Sequence, residues 1–284
     1  MDKEIRRIKI GDLDTLLNEI PDKPEEIYVQ GELPSRDFKY LCVVGSRKLS
    51  PYGKMAIEKI IGGLAGYKIA IISGLAIGAD KAAHEAALSA GLPTVAVPGS
   101  GLSKEILYPR QNAGLAEKIL NSGGALVSEF PNDFKATIWS FPQRNRIMAG
   151  LCDAVLLVEA TMQSGTLITA RLAADYNREL LAIPGSIFSE NSKGTNFFLK
   201  LGATLVDESA DVLRALGVEP NTEERKIETT VEEKMVLEKL SEPISRSELI
   251  ESLDMDTPKS AILISAMEIR GLIKEEMGKI MKNF

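Results

Sequence analysis

Short apolar runs alternate with amphipathic segments between Lys39 and Asp207, and this alternation constrains the fold more than any other feature of the chain. The runs contain Val, Ile, Leu and Ala with few polar interruptions. Such runs are typical of strands that are buried on both faces of a parallel sheet. Seven of them predict strands, with the sequences YLCVV, KIAII, PTVAV, ALVSE, AVLLVE, LLAIP and ATLVD.

The segments between these runs have the spacing of helices. Residues 51–66 and 79–91 are two examples, and the second ends at Gly91 with Pro93 shortly beyond it, which is a common way to stop a helix. Strands that alternate regularly with helices form βαβ units. The sequence therefore predicts an α/β fold with a doubly wound, mostly parallel sheet.

The composition divides the chain into four regions. We assign residues 36–218 to the α/β domain, residues 1–35 to a short N-terminal extension, and the polar stretch at 219–228 to a linker. Residues 229–284 hold three helical segments followed by a stretch that could form a short hairpin. This order predicts a small winged-helix-like domain at the C-terminus.

The charge is unevenly distributed. The formal net charge is −6, but residues from Asn221 onward hold 14 acidic and 10 basic side chains, whereas the first 220 residues hold 26 and 24. The overall acidity argues weakly against a nucleic-acid partner, because such proteins usually carry a basic surface. A local basic cleft is still compatible with the nearly neutral first 220 residues.

Several classes of protein are disfavoured by the sequence. No run of 18 apolar residues occurs and the first residues are charged, so we expect a cytoplasmic protein without a membrane span or signal peptide. Cys42 and Cys152 lie in apolar runs without metal-ligand spacing, which indicates buried, reduced thiols. We expect no metal and no cofactor.

Small and hydroxyl-bearing residues follow four of the predicted strands. Ligands of open parallel sheets bind beyond the carboxyl ends of the strands. Each loop alone could simply turn the chain, but four together suggest a long, phosphate-bearing ligand. Arg47, beside a helix start at Pro51, suggests an anion site. The candidates are Gly45, Ser46, Arg47, Ser73, Gly74, Gly99, Ser100, Ser164, Gly165 and Thr166.

Common nucleotide-binding and catalytic signatures are missing. The first strand is not followed by Gly-x-Gly-x-x-Gly, and no P-loop sequence occurs, which argues against a dinucleotide dehydrogenase and a P-loop NTPase. His84 is the only histidine. It could act as a general acid or base oriented by Asp80, or it could be structural, which is the more common role of a histidine without a recognisable partner.

The hexapeptide FPQRNR, residues 141–146, carries two arginines ahead of a strongly apolar run. If a helix begins at Gln143, Arg144 and Arg146 lie in its first turn, where the helix dipole favours acids. A bound anion would supply the missing negative charge. The alternative, for one of the two arginines, is an internal salt bridge to a carboxylate such as Glu129 or Glu159.

Two aromatic residues accompany these arginines. Phe141 offers a ring beside the predicted phosphate site, an arrangement that single-strand binders use to stack bases. Trp139 could stack on a base or pack beneath the following helix, and the sequence does not decide between these roles.

These segments together resemble the DprA/Smf family of DNA-processing proteins. The resemblance extends from about Glu26 to Asp207 and includes YVQGEL, VVGSRKLSPYG, SGLAIGADKAAHEAAL, GGALVSEFP, FPQRNRIMAGLCDAVLLVEA and SGTLITARLAA in the family's order. It implies an extended Rossmann-like fold that binds single-stranded DNA, forms a homodimer and delivers the strand to a RecA-family recombinase. The resemblance implies no catalytic activity.

The family's motifs assign roles to particular residues. Gly45, Ser46 and Arg47 match the family's phosphate-binding loop, and Ser164, Gly165 and Thr166 match its Ser-Gly-Ser/Thr turn. Residues that match the motif lining the DNA cleft are Phe141, Pro142, Arg144, Asn145 and Arg146. Only about 25 residues precede IYVQGEL, so we expect a stub where many members carry a helical N-terminal domain.

Two other functions remain open at this level. A Rossmann-like phosphoribohydrolase of the "lonely guy" type would need a glutamate after its Gly-Thr loop, but this chain has Leu167, Ile168, Thr169 and Ala170 there. The acidic C-terminal domain also suggests an adaptor that contacts proteins. The sequence does not locate the dimer interface. It also does not show whether Arg144 or Arg146 of the hexapeptide contacts DNA.

Overall fold

The computed structural model describes residues 4–220, 229–240, 242–253, 255–276 and 278–282. The chain forms two compact units, residues 1–220 and residues 221–284. Most of the predicted linker at 219–228 lies outside the described residues.

A nine-stranded sheet forms the first unit. In spatial order the strands are β1-β2-β6-β5-β4-β3-β7-β8-β9, and every neighbouring pair from β6 to β9 is parallel. This confirms the predicted doubly wound, mostly parallel sheet. The strands are β1 (Ile5–Lys9), β2 (Glu26–Gly31), β3 (Lys39–Val44), β4 (Ile69–Ser73), β5 (Thr94–Ala96), β6 (Ala125–Ser128), β7 (Ala154–Leu157), β8 (Glu179–Ala182) and β9 (Thr204–Leu205).

Helices cover both faces of this sheet, as a strand buried on both sides requires. Leu41 and Val43 of β3 point into one core layer, and Cys42 and Val44 point into the other. The first layer packs against α1, α2 and α7, and the second against α4, α5 and α6. The helices are α1 (Pro51–Gly62), α2 (Ala79–Ser89), α3 (Ala113–Asn121), α4 (Ser140–Leu151), α5 (Thr166–Asp175), α6 (Lys193–Lys200) and α7 (Ser209–Ala215).

The N-terminal segment is part of the sheet, which the sequence analysis missed. The composition predicts an extension at residues 1–35, whereas in the structure β1 pairs antiparallel with β2, and β2 pairs antiparallel with β6. Ile27 and Val29 are buried while their neighbours in β2 are partly exposed. This alternation is typical of a strand with one buried face, and it is less conspicuous than the continuous runs of the central strands.

The second unit combines three helices with a three-stranded antiparallel sheet in the order β10-β12-β11. The three predicted helices and the hairpin are present, and a winged-helix role for this unit stays a prediction. Within the described residues, no helix combines the length and apolar character needed to cross a membrane. The elements are α8 (Val231–Lys239), β10 (Ile244–Ser245), α9 (Arg246–Ser252), α10 (Thr257–Ile269), β11 (Ile273–Glu276) and β12 (Lys279–Lys282).

Candidate nucleic-acid interface

The candidate site lies where the winding of the sheet changes direction. The chain runs from β3 through β4 and β5 to β6 on one side and then returns to β7 on the other side of β3. The connections after β3 and β7 lead to helices on opposite faces, which opens a crevice at their carboxyl ends. Ligands of open α/β sheets bind at this position.

Two of the predicted loops meet at this crevice. The Thr166 hydroxyl donates a hydrogen bond to the carbonyl of Gly45 over 3.1 Å, and the Ser164 hydroxyl donates to Thr166 Oγ1 over 2.9 Å. Gly165 is exposed at the start of α5, with open space around its Cα. The Gly45–Arg47 loop and the Ser164–Thr166 turn are therefore brought together as one surface.

We use the name aromatic–cation row for the arrangement of Arg47, Phe141 and Tyr108. The guanidinium carbon of exposed Arg47 lies 5.2 Å from the centre of the Phe141 ring, within the range of a cation–π contact. The Tyr108 ring centre lies 5.7 Å from that of Phe141 at an interplanar angle of 51°, and Tyr108 is 47% exposed. A Cβ on Gly99 would come within 2.6 Å of the Phe141 ring, so this close approach needs glycine.

Tyr108 was missed by the sequence analysis. It belongs to the segment YPRQN in the loop after β5, and an aromatic residue between two glycines and a helix start was the available signal. Its backbone amide donates a hydrogen bond to the buried hydroxyl of Ser100 over 3.1 Å, which anchors the loop beneath the ring.

The loop that carries Arg47 is held by its neighbours. Ser46 Oγ accepts a hydrogen bond from the backbone amide of Lys48 over 3.0 Å, and the Ser46 carbonyl accepts one from Ala79 at the start of α2 over 3.1 Å. Gly78 has a φ of +80°, and a Cβ there would lie 2.4 Å from the Ser46 carbonyl oxygen. The backbone positions Arg47 while its side chain stays at the surface.

The N-terminus of α1 is closed by a carboxylate, which corrects one expectation. We predicted an anion site at the helix start beside Arg47. Instead, buried Glu159 accepts hydrogen bonds from the amide of Ser50, over 2.9 Å, and from the Ser50 hydroxyl. A carboxylate in this position already neutralises the positive end of the helix dipole. This helix start is therefore not available as the predicted anion site beside Arg47.

Arg144 lies inside the protein, and this corrects its predicted role. The residue is 5% exposed. Its Nη1 donates to the carbonyl of Gly74 over 2.5 Å and to the carbonyl of Val97. Burial lowers the pKa of this guanidinium and raises the pKa of the Asp80 carboxyl, while the attraction between the two opposes both shifts. Arg144 thus joins the ends of β4 and β5 instead of facing a ligand.

Arg146 is also engaged by the protein. Its Nη2 forms a salt bridge to Glu129 Oε2, and its Nη1 donates to the carbonyl of Asp22 over 2.7 Å. The proposed alternative of an internal salt bridge to Glu129 is therefore correct for this arginine. Burial raises the pKa of the Glu129 carboxyl despite the neighbouring guanidinium.

The position of the helix explains why neither arginine needs an anion. Helix α4 begins at Ser140, not at Gln143, so Arg144 and Arg146 lie beyond its first turn. The dipole effect falls off within the first turn. The apparent conflict between basic residues and the helix start was a consequence of placing that start three residues too late.

Other predicted contact residues form the buried support of the site. The Ser73 hydroxyl donates to the Val43 carbonyl over 2.7 Å, and the Ser100 hydroxyl donates to the Gly101 carbonyl over 3.0 Å. Because both serines are completely buried, they have no surface for DNA. Further predicted residues that are buried beside them are Gly74, Gly99 and Asn145.

The histidine is part of the same buried support. Thr94 donates its hydroxyl hydrogen to the Ile71 carbonyl over 2.9 Å, so His84 Nδ1, 2.7 Å from Thr94 Oγ1, must be the donor in their contact. Burial lowers the pKa of His84 to about 3. A neutral, fully buried imidazole is poorly placed to exchange protons with a substrate at the surface.

Comparison with known proteins identifies the family. The profile of the family described as DNA recombination-mediator protein A matches residues 8–217. The chain belongs to the DprA/Smf family. It is 44% identical over 195 residues to protein Smf of Escherichia coli strain K12, a match that covers 69% of this chain and 52% of the relative. The chain thus spans about half the length of that curated relative.

Two solved structures of the family have the same fold. The X-ray structure of DprA from Streptococcus pneumoniae matches with a TM-score of 0.69 and 39% identity, covering 74% of each chain. The second structure is that of DNA processing protein A from Helicobacter pylori, and it concerns the binding of single-stranded DNA by that protein. It matches with a TM-score of 0.65 and 27% identity, covering 76% of this chain and 98% of the other.

Proposed function

We propose that this protein binds single-stranded DNA at the carboxyl edge of its sheet, without catalysing a reaction. The observation that carries the proposal is the aromatic–cation row at the crevice between β3 and β7. A guanidinium supplies charge to a phosphate, and the rings of exposed Tyr108 and partly buried Phe141 offer stacking faces to bases of any sequence. The single-stranded DNA binding described for the Helicobacter pylori relative supports the same ligand class.

The remainder of the function is proposed from family membership. As a member of a recombination-mediator family, the protein would protect incoming strands in the cytoplasm and load a RecA-family recombinase on them during DNA uptake. The lack of a carboxylate in the first turn of α5, where a phosphoribohydrolase would need one, supports a binding protein rather than a phosphoribohydrolase.

The first test compares single-stranded with duplex oligonucleotides across a salt titration. We expect preferential binding to single strands, little dependence on base sequence, and affinity that falls steeply as salt rises, because phosphate contacts release counterions. Fluorescence anisotropy of a labelled oligonucleotide measures all three properties. Affinity that does not change with salt would contradict the proposal, and release of free base from a nucleotide would favour the phosphoribohydrolase instead.

We also propose that the protein dimerises through the outer edge of the sheet at β9. This strand pairs with β8 on one side, and no further strand pairs with it on the other side among the described residues. Leu205 is 49% exposed on β9, and Leu201 at the end of α6 is 65% exposed. β9 is only two residues long, so the proposal rests mainly on these exposed apolar side chains, which are typical of association surfaces.

Replacing Leu205 with aspartate is expected to produce a monomer where the wild type is a dimer. A charge placed in a buried apolar interface should weaken association by about 30-fold or more. Sedimentation velocity over a concentration series measures the effect. Met55→Asp, at a similarly exposed position on α1, is the matched control and should leave the dimer intact. Equal association of the Leu205 variant and the wild type would exclude this edge.

A further inference from the structure

Trp139 is a large, exposed aromatic side chain that the proposed binding row does not include. It is 55% exposed, and the neighbouring Ile138 is 91% exposed. It is also the only tryptophan in the chain. Such exposure is an unusual use of so large an apolar side chain, and amphipathic rings of this kind are often found at binding surfaces.

The protein holds the indole ring on one side. Phe130 and Phe134 stack with ring centres 4.4 Å apart, and both approach Trp139 at steep angles, 76° for Phe130 and 63° for Phe134. Phe130 is 5% exposed, so this pair connects Trp139 to the core. The contacts restrict the indole ring before any ligand arrives, which lowers the entropy lost on binding.

Trp139 is two residues from Phe141 of the aromatic–cation row. It immediately precedes α4, and Phe141 is in the first turn of that helix. Between them, the Ser140 hydroxyl donates to the carbonyl of Gly99 over 2.6 Å, which fastens the start of α4 to the end of β5. Trp139 therefore belongs to the same edge of the sheet as Arg47, displaced along that edge toward the end of β6.

The start of α4 adds a feature that suits a nucleic acid. No side chain caps this helix, and its first turn contains no acidic residue. This contrasts with α1, whose N-terminus Glu159 closes. A strand that crosses Phe141 can therefore continue over the start of α4 without meeting a carboxylate in that turn, and Trp139 is the ring it meets there.

We propose that Trp139 stacks on a second base of the bound single strand, beyond the nucleotide held by Arg47 and Phe141. The proposal rests on the DNA-binding function proposed above. Continuity with the aromatic–cation row favours a nucleic-acid base over a protein partner as the occupant of this ring. Stacking on one more ring lengthens the binding track without adding charge, in the way that sequence-tolerant single-strand binders use successive aromatic residues.

Because Trp139 is the only tryptophan, the tryptophan fluorescence of the chain reports on the surroundings of this ring. The experiment titrates the full chain with an oligothymidylate and follows tryptophan emission and the anisotropy of a label on the DNA in parallel. We expect quenching that saturates together with the anisotropy. An abasic oligonucleotide of equal length, tested at low salt where it still binds, should leave the emission unchanged because it has no rings to stack.

Variants separate stacking from a phosphate contact. Trp139→Leu keeps an apolar side chain against Phe130 and Phe134 and should weaken binding about ten-fold, with the slope of log affinity against log salt unchanged because no charge is removed. Trp139→Phe should restore most of the loss. Ile138→Ala, at the more exposed neighbouring position, is the control and should change affinity by less than about two-fold.

The outcomes distinguish this proposal from the function on which it rests. Anisotropy that shows binding while the tryptophan emission stays constant would overturn the role of Trp139 and leave the DNA-binding function intact. Equal quenching by the abasic strand would also overturn it, because the response would not depend on bases. If no oligonucleotide binds in the salt titration, the DNA-binding function and the Trp139 proposal both fail.

Discussion

Replacing Arg47 with alanine is expected to weaken the binding of single-stranded DNA by about ten-fold or more at low salt and to reduce the salt slope by about one phosphate contact. Arg47 is exposed at the crevice, and its described side-chain contact is with the Phe141 ring. The substitution therefore removes the charge directed at the DNA and also the cation–π contact. Anisotropy titrations at several salt concentrations measure both effects.

Lys68→Ala is the control for this prediction. Lys68 is exposed and directly precedes β4, so it lies at the opposite, amino-terminal edge of the sheet. Lys68→Ala changes the net charge by the same amount as Arg47→Ala. It should leave the affinity for DNA within about two-fold of the wild type and the salt slope unchanged. If Lys68→Ala weakened binding as much as Arg47→Ala, the effect would come from total charge, and the crevice would not be the binding site.

The second large effect is expected on folding, not on binding. Replacing Arg144 with leucine should lower the free energy of unfolding by about 3 to 5 kcal/mol, because a buried charged group with several partners is removed. The change leaves the carbonyls of Gly74 and Val97 without this donor and deprives buried Asp80 of a neighbouring positive charge. Urea unfolding followed by circular dichroism measures the loss.

Arg171→Ala is the matched comparison for stability, because Arg171 is exposed on α5. This substitution should change the free energy of unfolding by less than about 0.5 kcal/mol. Under conditions where the Arg144 variant remains folded, its salt slope for DNA should equal that of the wild type. A lower slope with unchanged stability would show that Arg144 contacts phosphate, as the sequence first suggested.

The central strands could be predicted because burial on both faces leaves a signal within each strand. β3, β4 and β7 are continuous apolar runs, and almost any arrangement that buries such runs is a parallel sheet covered by helices. The strands β1 and β2 were missed because they lack this signal. They lie at one end of the sheet: β2 buries one face only, and β1 has no fully buried residue, so neither strand forms a continuous apolar run.

The candidate site was predicted only in part, because a motif does not show which of its side chains reach the surface. Within FPQRNR, Phe141 lies in the aromatic–cation row, whereas Arg144 and Arg146 bind carbonyls and a carboxylate far away in the sequence. Tyr108 comes from another loop, and only the packing of its ring near Phe141 associates it with the site.

The sequence by itself determined the fold class, the family and the edge of the sheet at which we propose that a ligand binds. These properties depend on the order of strands and helices and on local turns, which neighbouring residues specify. Only the tertiary structure decided which charges are available to that ligand. Burial and pairing depend on contacts between distant segments: Glu159 closes α1, Arg144 connects two strands, and Arg47 remains exposed beside Phe141.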